Sequence, residues 1–394
     1  MKCKEMCFLC FLVPFMILSC HKKPTSPSIP SAKVIWEKTY GGDGNDIGFS
    51  VQETSDGGYI IAGYTTSFGA GYYDVYLMKT DADGESLWTR TYGGSDDDKG
   101  FSVQGTADGG YIIAGVTLSF GTGNYDVYLI KTDAFGNLIW EKTYGGENSD
   151  WGFSVQVTSD GGYIITGSTE SSGAGAMDVY IVKTDANGDT LWTRTYGGIK
   201  NDSASSIQLT SDGGYIICGS SESFGAGKED IYLLRIDSNG NALWTKTYGG
   251  TDYDYGSSVR QTLDGGYIIA GQTNSFGAGE YDVYLIKTDA SGKILWTKTY
   301  GDIKWDNCSS IQETSDAGYI AVGLTDLSED SHLHLNVYLI KTDASGNAIW
   351  QETYGGEDDA IGYSVLETSS GGYVVVGQKD GSDICEDIYL IKLK

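Results

Sequence analysis

Two tryptophans and two tyrosines stand where the chain departs from its own repeating pattern. Trp151 and Trp305 are the only tryptophans outside a regular series of seven, and Tyr253 and Tyr255 lie in the matching loop of another repeat. An exposed aromatic ring offers a rigid apolar face with a polar tip, which suits a sugar ring or a peptide side chain. Arg260 is the one arginine in a series of glutamines. We predict that these five residues bind a ligand; local packing of the aromatic rings is the alternative.

A short insertion carries side chains of the kind that bind metals. His332 and His334 alternate on an extended segment with Asp330 nearby, an arrangement that suits a transition metal. Two histidines without a third ligand are more typical of a solvated loop. We therefore predict no metal and no other cofactor, with these three residues as the weak candidates.

An aspartate precedes the first strand of six repeats: Asp46, Asp98, Asp150, Asp202, Asp254 and Asp306. Six carboxylates around a channel mouth would attract Ca²⁺ or a cationic ligand. The alternative is that each caps the main chain of its own loop. Capping is favoured, because Ca²⁺ needs several converging oxygens and one carboxylate per repeat is spread too widely.

The sequence offers few residues that could carry out catalysis. Only His332 and His334 would be available to a serine or cysteine nucleophile in the predicted propeller body. No carboxylate pair stands out from the aspartates that recur in the turns. We predict that the protein is not an enzyme, and an enzyme acting on polysaccharide is kept as an alternative.

The elements that must position these residues repeat along the chain. A tryptophan opens variants of the phrase W-x-K-T-Y-G-G seven times, at Trp36, Trp88, Trp140, Trp192, Trp244, Trp296 and Trp350. Each repeat contains four β-rich runs separated by glycine-containing turns, without helical periodicity. A repeat of about 50 residues with four strands predicts a β-propeller blade, whereas a solenoid would use shorter coils.

The two ends of the chain complement each other. The last repeat stops after its third strand, Tyr389–Leu393, and the first run, Lys33–Tyr40, is a fourth strand without a blade. We predict an all-β, seven-bladed propeller, with four antiparallel strands per blade. The N-terminal strand completes the last blade and so protects an open strand edge.

The repeated phrases resemble a known type of bacterial repeat. S-V-Q-x-T-S-D-G-G-Y-I-I-A-G, followed by D-V-Y-L-I-K-T-D-A-x-G-N-x-x-W, is similar to the propeller repeats of the SBBP type, and the resemblance covers Lys33 to Lys394. It implies the propeller fold and a module of secreted or surface proteins. It does not imply a particular activity.

The N-terminus resembles a bacterial lipoprotein signal. Lys2 and Lys4 precede an apolar run from Met6 to Leu18, and Cys20 follows. The resemblance implies cleavage before Cys20 and diacylglycerol on its sulfur. We therefore expect a signal peptide (1–19), a lipidated flexible tether (20–32) and the propeller (33–394). The expected location is the bacterial cell envelope, at the outer membrane or cell surface and outside the cytoplasm.

The net charge indicates which binding partners to expect, and the cysteine content indicates whether disulfide bonds are expected. The formal net charge of −27 makes nucleic acid and anionic membrane surfaces poor partners, so membrane contact is expected through the lipid anchor only. Cys218, Cys308 and Cys385 occupy different places in their repeats, which is not a disulfide framework. Whether two of them pair is left open.

Long glycine-rich loops meet on one face of the predicted ring, and this loop face is the expected binding surface. We predict a monomeric, lipid-anchored protein that binds a glycan or an envelope or extracellular protein without catalysis. An envelope-assembly scaffold, similar in plan to the propeller lipoprotein of outer-membrane assembly, is the other alternative.

Overall fold

The computed structural model describes residues 31–328, 333–381 and 385–394. The signal peptide, Cys20, tether residues 20–30, Asp330 and His332 lie outside these residues, and their predictions stay predictions. The described residues include no α-helix, and so no helix long and apolar enough to cross a membrane.

In the part of the chain that the structure describes, twenty-eight strands form seven four-stranded antiparallel sheets, which are the blades of a closed ring. This confirms the predicted fold. The innermost strands are β2 (Asp46–Glu53), β6 (Asp98–Gly105), β10 (Asp150–Val157), β14 (Asp202–Leu209), β18 (Asp254–Gln261), β22 (Asp306–Glu313) and β26 (Ala360–Glu367). The second strands are β3 (Tyr59–Thr65), β7 (Tyr111–Thr117), β11 (Tyr163–Thr169), β15 (Tyr215–Ser221), β19 (Tyr267–Thr273), β23 (Tyr319–Asp326) and β27 (Tyr373–Asp380).

The other two strands of each blade lie further from the ring axis. The third strands are β4 (Asp74–Thr80), β8 (Asp126–Thr132), β12 (Asp178–Thr184), β16 (Asp230–Ile236), β20 (Asp282–Thr288), β24 (Leu335–Thr342) and β28 (Glu386–Leu393). The outermost strands are β5 (Ser86–Tyr92), β9 (Leu138–Tyr144), β13 (Thr190–Tyr196), β17 (Ala242–Tyr248), β21 (Ile294–Tyr300), β25 (Ala348–Tyr354) and β1 (Val34–Tyr40). Blades I to VII follow the order of their innermost strands.

Strand β1 closes the ring as predicted. It pairs antiparallel with β28, with Trp36 opposite Lys392 and Tyr40 opposite Ile388, so blade VII has the order β26-β27-β28-β1. Trp36 therefore belongs to the last blade.

The repeated tryptophan and tyrosine of six outermost strands hold the next blade, whereas the Tyr354 hydroxyl of β25 has no hydrogen-bond partner among the described residues. The Trp88 ring covers Gly136 in the turn of blade II, whose φ of +74° and close approach leave no room for a Cβ. The Tyr92 hydroxyl donates to the Gly136 carbonyl over 2.6 Å. Trp36 and Tyr40 make the same two contacts to Gly84 and so join blade VII to blade I.

The hydrophobic cores lie between blades. One core combines Ile60 and Val75 of blade I with Val103 and Ile113 of blade II, all essentially inaccessible to solvent. Burial of apolar surface stabilises the fold by about 25 cal/mol per Å². Because each core is shared by two adjacent blades, each blade is stabilised by both of its neighbours. A ring closed in this way is a rigid frame for its central channel.

The recurring turn aspartates have structural roles, and they contribute much of the protein's negative net charge. Buried Lys79 at the end of β4 contacts Asp56 of the first hairpin at 3.0 Å, and the second, third, fifth and sixth blades repeat this pair. In the second hairpin, Asp81 accepts from the Asp83 and Glu85 amides at 2.9 and 2.8 Å. These contacts fix the turns of the face opposite the loops.

Candidate functional site

A β-bulge in every innermost strand aims one side chain at the central channel. The pairing register between the first two strands skips one residue in each blade: Phe49, Phe101, Phe153, Ser205, Ser257, Ser309 and Tyr363. A bulge of this kind re-aims a side chain that the pleat would otherwise turn into the blade. The channel wall is therefore set by these seven residues.

The channel wall has two unlike halves. Tyr363, Phe49, Phe101 and Phe153 form an arc of aromatic rings, with centroids 4.6, 5.3 and 5.5 Å apart in that order. Blades IV, V and VI carry serine at the same position. The serine half consequently leaves space that the aromatic half fills.

A cavity of about 410 Å³ occupies part of the serine half, between blades III and V. This volume is within the 300–1,000 Å³ usual for small-ligand sites. Ser203, Ser205 and Ser220 of blade IV line it, together with Ser257 of blade V. Another cleft of about 340 Å³, between blades I and II on the opposite face, is lined mainly by turn residues that the blades repeat.

Trp151 and Tyr255 form opposite walls of the cavity. Each is the second residue of its innermost strand, β10 or β18, and both side chains are half-buried. Blade IV, which lies between them, has the small Ser203 at the equivalent position. Two of the predicted ligand-binding residues are thus brought together, across a floor of hydroxyl groups.

A chain of hydrogen bonds crosses that floor. The Ser203 and Ser220 hydroxyl oxygens are 3.2 Å apart, and Ser220 donates to the Glu229 carboxylate at 2.6 Å. A serine hydroxyl has one proton to donate. Because Ser220 donates to Glu229, Ser203 must be the donor to Ser220. Both hydroxyls and the carboxylate are left with acceptor capacity only.

Glu229 lies just before β16 and is the only carboxylate among the described residues that line the cavity. Burial raises its pKa above the ordinary glutamate value, while hydrogen bonds from Ser220 and Tyr255 oppose the effect. Burial, and then the charge of Glu229, raises the pKa of Tyr255. Tyr255 therefore stays protonated beside the carboxylate.

Tyr253 and Trp305 lie next to the cavity without lining it. The Tyr253 ring stacks on Tyr255 with centroids 6.0 Å apart, and Tyr255 contacts Tyr281 at 6.2 Å. Trp305 is joined to Tyr281 by an isolated backbone bridge. Tyr253 therefore supports the wall that Tyr255 forms, whereas Trp305 lies beyond Tyr281, further from the cavity.

Arg260 lies towards the other end of β18 and does not line this cavity. It is half-buried and donates to the Val259 carbonyl at 2.8 Å, and burial lowers the pKa of its guanidinium. Gln312, its equivalent in blade VI, instead accepts from the Glu367 amide of the next blade at 3.3 Å. Arginine has no acceptor and cannot make that link.

The six aspartates expected in the loops before the first strands are instead the first residues of those strands, where they are buried caps. Asp98 accepts from the Gly94 amide at 2.8 Å and from the Ser119 hydroxyl at 2.6 Å. It also faces Asp74 of blade I, because both carboxylates flank Gly93, whose φ is +146°. Burial, opposed by the Gly71 amide and reinforced by the Asp98 charge, raises the pKa of Asp74. These carboxylates are buried and accept hydrogen bonds from their own loops. They therefore cap the blades and do not form a ring of charges at the channel mouth.

His334 is the one weak metal candidate among the described residues. Its Nε2 lies 3.1 Å from the Gly356 carbonyl, and its Nδ1 lies 3.5 Å from Asp359. Across residues 31–328, 333–381 and 385–394, no group of three or more His, Cys, Asp or Glu side chains is placed to hold a metal. The ring of His334 therefore links the insertion to blade VII.

All three propeller cysteines are free thiols. Cys218 and Cys308 are buried, and burial raises the pKa of each thiol to about 12. Cys385 is half-exposed, with its Sγ 3.4 Å from the Asp43 carbonyl oxygen.

Comparisons with known proteins support the fold. No family model matches the chain. The regulatory protein FlaEY of Caulobacter vibrioides is 27% identical over 256 residues, which cover 56% of this chain and 26% of that protein. The chain thus matches about a quarter of that relative's length.

Two solved propellers resemble the structure. The Neurospora crassa Pan2 WD40 domain has a TM-score of 0.53 and 11% identity, over 89% of each chain. BBS1N, solved with ARL6DN, has a TM-score of 0.52 and 8% identity, over 91% of this chain and 96% of its own. These likenesses show a shared architecture. The chain is a repeat-based propeller, a scaffold of a kind able to bind proteins or glycans.

Sequence reasoning missed Glu229 and the serines. Glu229 occupies a position that is tyrosine in blades I, II and V, at Tyr73, Tyr125 and Tyr281. The same search for breaks in the repeat that found Trp151 would have found it. Ser205 likewise replaces the phenylalanine of blades I to III.

Proposed function

We propose that the protein binds a glycan without catalysis, and that one sugar residue occupies the cavity between Trp151 and Tyr255. The convergence of these two rings over Ser203 and Ser220 carries the proposal. Aromatic faces pack against the apolar face of a sugar ring, and hydroxyl and carboxylate groups bind its polar edge. The lining offers one carboxylate, whereas glycoside hydrolysis uses two, about 5–10 Å apart. Binding is therefore favoured over polysaccharide cleavage.

We further propose that the propeller belongs to the SBBP type and is held at the bacterial cell surface or outer membrane by a lipid on Cys20. The tether would leave the loop face free to meet a glycan, and a monomer suffices because the cavity lies within one ring. The same face would also serve a protein ligand or an envelope-assembly partner, the alternatives from the sequence.

Glycan-array binding of the full chain tests the proposal. Trp151→Ala removes one wall of the cavity, and loss of a central aromatic contact weakens binding by about 2 kcal/mol or more, roughly thirtyfold. Trp305→Ala is the matched control, because it removes a tryptophan of the same face that does not line the cavity. Array profiles unchanged by Trp151→Ala would contradict the proposal. Equal losses in both variants would do the same.

A further inference from the structure

We infer that the sugar bound in the cavity carries a free, protonated amino group, and that Glu229 is its counter-ion. The inference rests on the proposed function and specifies its ligand as a hexosamine without an N-acetyl group. It starts from the charge balance of the cavity.

Glu229 is a carboxylate without a cationic partner among the described residues. The lysine beside it in the chain, Lys228, is paired with Asp252 at 2.8 Å and lies 4.8 Å from the centre of the Tyr253 ring. Among the described residues, none that lines the cavity is a lysine, arginine or histidine. Burying an unpaired charge is costly, so a half-buried carboxylate of this kind favours a cation in the adjoining space.

The hydrogen-bond directions select the same chemistry. The single proton of Ser220 is directed to Glu229, and the proton of Ser203 is directed to Ser220. This end of the cavity therefore presents acceptors. An ammonium group has three donors and no acceptor. It can therefore donate hydrogen bonds to these oxygens without placing an acceptor of its own next to them.

The walls favour the same kind of ligand. A cation near the face of tryptophan or tyrosine is attracted by the ring quadrupole. The hydroxyls of Ser205 and Ser257 line the other side of the cavity and match the hydroxyls of a sugar ring. A lysine side chain would instead place methylene groups against these two hydroxyls, which is a poorer match. The net charge of −27 also draws cationic ligands towards the protein.

Blade VII supplies a matched control. Glu386 occupies the position equivalent to Glu229 and is also half-buried, with its pKa raised by burial. Its carboxylate accepts from Gln378 Nε2 at 2.8 Å, and Gln378 accepts from Tyr363 at 2.7 Å in the aromatic half of the channel. Glu386 therefore faces a filled wall instead of the cavity.

The test is calorimetric titration of the full chain with glucosamine, glucose, N-acetylglucosamine and lysine amide at pH 6.5. Wild-type protein is expected to prefer glucosamine over both neutral sugars by at least about tenfold, the size of a charged hydrogen bond. Glu229→Gln should abolish that preference and Glu386→Gln should keep it.

Three results would overturn the inference. They are equal affinity for glucosamine and glucose, a preference that survives Glu229→Gln, or Glu229-dependent binding of lysine amide without binding of glucosamine. The first two are compatible with Trp151-dependent glycan binding, so they separate failure of this inference from failure of the proposed function.

Discussion

Replacing Ser205 with phenylalanine should fill the cavity and stabilise the ring at the same time. Phenylalanine is native at this bulge position in blades I to III, where ring centroids are 5.3 and 5.5 Å apart. A ring at position 205 would extend the arc beyond Phe153. About half of a phenylalanine side chain, roughly 90 Å², would leave solvent, which is worth about 2 kcal/mol.

Two smaller effects adjust this figure. Lost rotamer freedom costs about 0.5–1 kcal/mol, and the edge contact with Phe153 adds about 0.5–1.5 kcal/mol. Because area-based figures are upper bounds, the expected gain in the free energy of unfolding is about 1–2 kcal/mol. Equilibrium urea denaturation measures it, and the glycan array should show loss of binding by the same variant.

Ser309→Phe provides the control for this substitution. Ser309 has the same bulge position in blade VI but does not line the cavity. It should accept phenylalanine beside Tyr363 with a similar gain and unchanged binding. A Ser205→Phe protein that is destabilised, or that binds as well as wild type, would refute the division of the channel into a filled and an open half.

Three further predictions concern ionisable side chains of the folded ring. Asp74→Asn should stabilise the protein at pH 7, because burial and then the charge of Asp98 raise the pKa of Asp74 and penalise its ionised form in the fold. The gain should shrink as the pH falls through the folded-state pKa to the unfolded value of about 4, and urea denaturation at pH 7 and pH 4 measures it. Asp56→Asn should do the opposite at pH 7, because hydrogen bonds from Thr54 and Lys79 lower the pKa of Asp56 to about 2. Separately, an aromatic disulfide reagent should label Cys385 in the native protein and the two buried propeller thiols only after unfolding; labelling of Cys218 or Cys308 in the native protein would contradict the ring's packing.

The sequence was sufficient for the ring because its signals are local and repeated. The fixed interval from Trp36 to Trp88 predicted the blade, and the unpaired strand around Trp36 predicted the closure. Each contact of Trp36 and Tyr40 with the Gly84 turn has counterparts in other blades, so one correct repeat determines most of the others.

The candidate site could not be predicted from one repeat, because it combines residues that lie two blades apart. Trp151 and Tyr255 were both recognisable as breaks in the repeat, but their placement across Ser203 follows from the closed ring and the small side chains of blade IV. Glu229 was hidden because the chain has 53 acidic residues. Trp305 broke the pattern equally well, yet it precedes its strand by one residue and so lies beside Tyr281.

The most direct test of the ligand-binding cavity is a crystal structure of the full chain soaked with glucosamine. The sugar ring should lie between Trp151 and Tyr255, with its amino group within hydrogen-bonding distance of Glu229. Sugar bound elsewhere on the ring, with the space over Ser203 and Ser220 free of it, would contradict the proposed site.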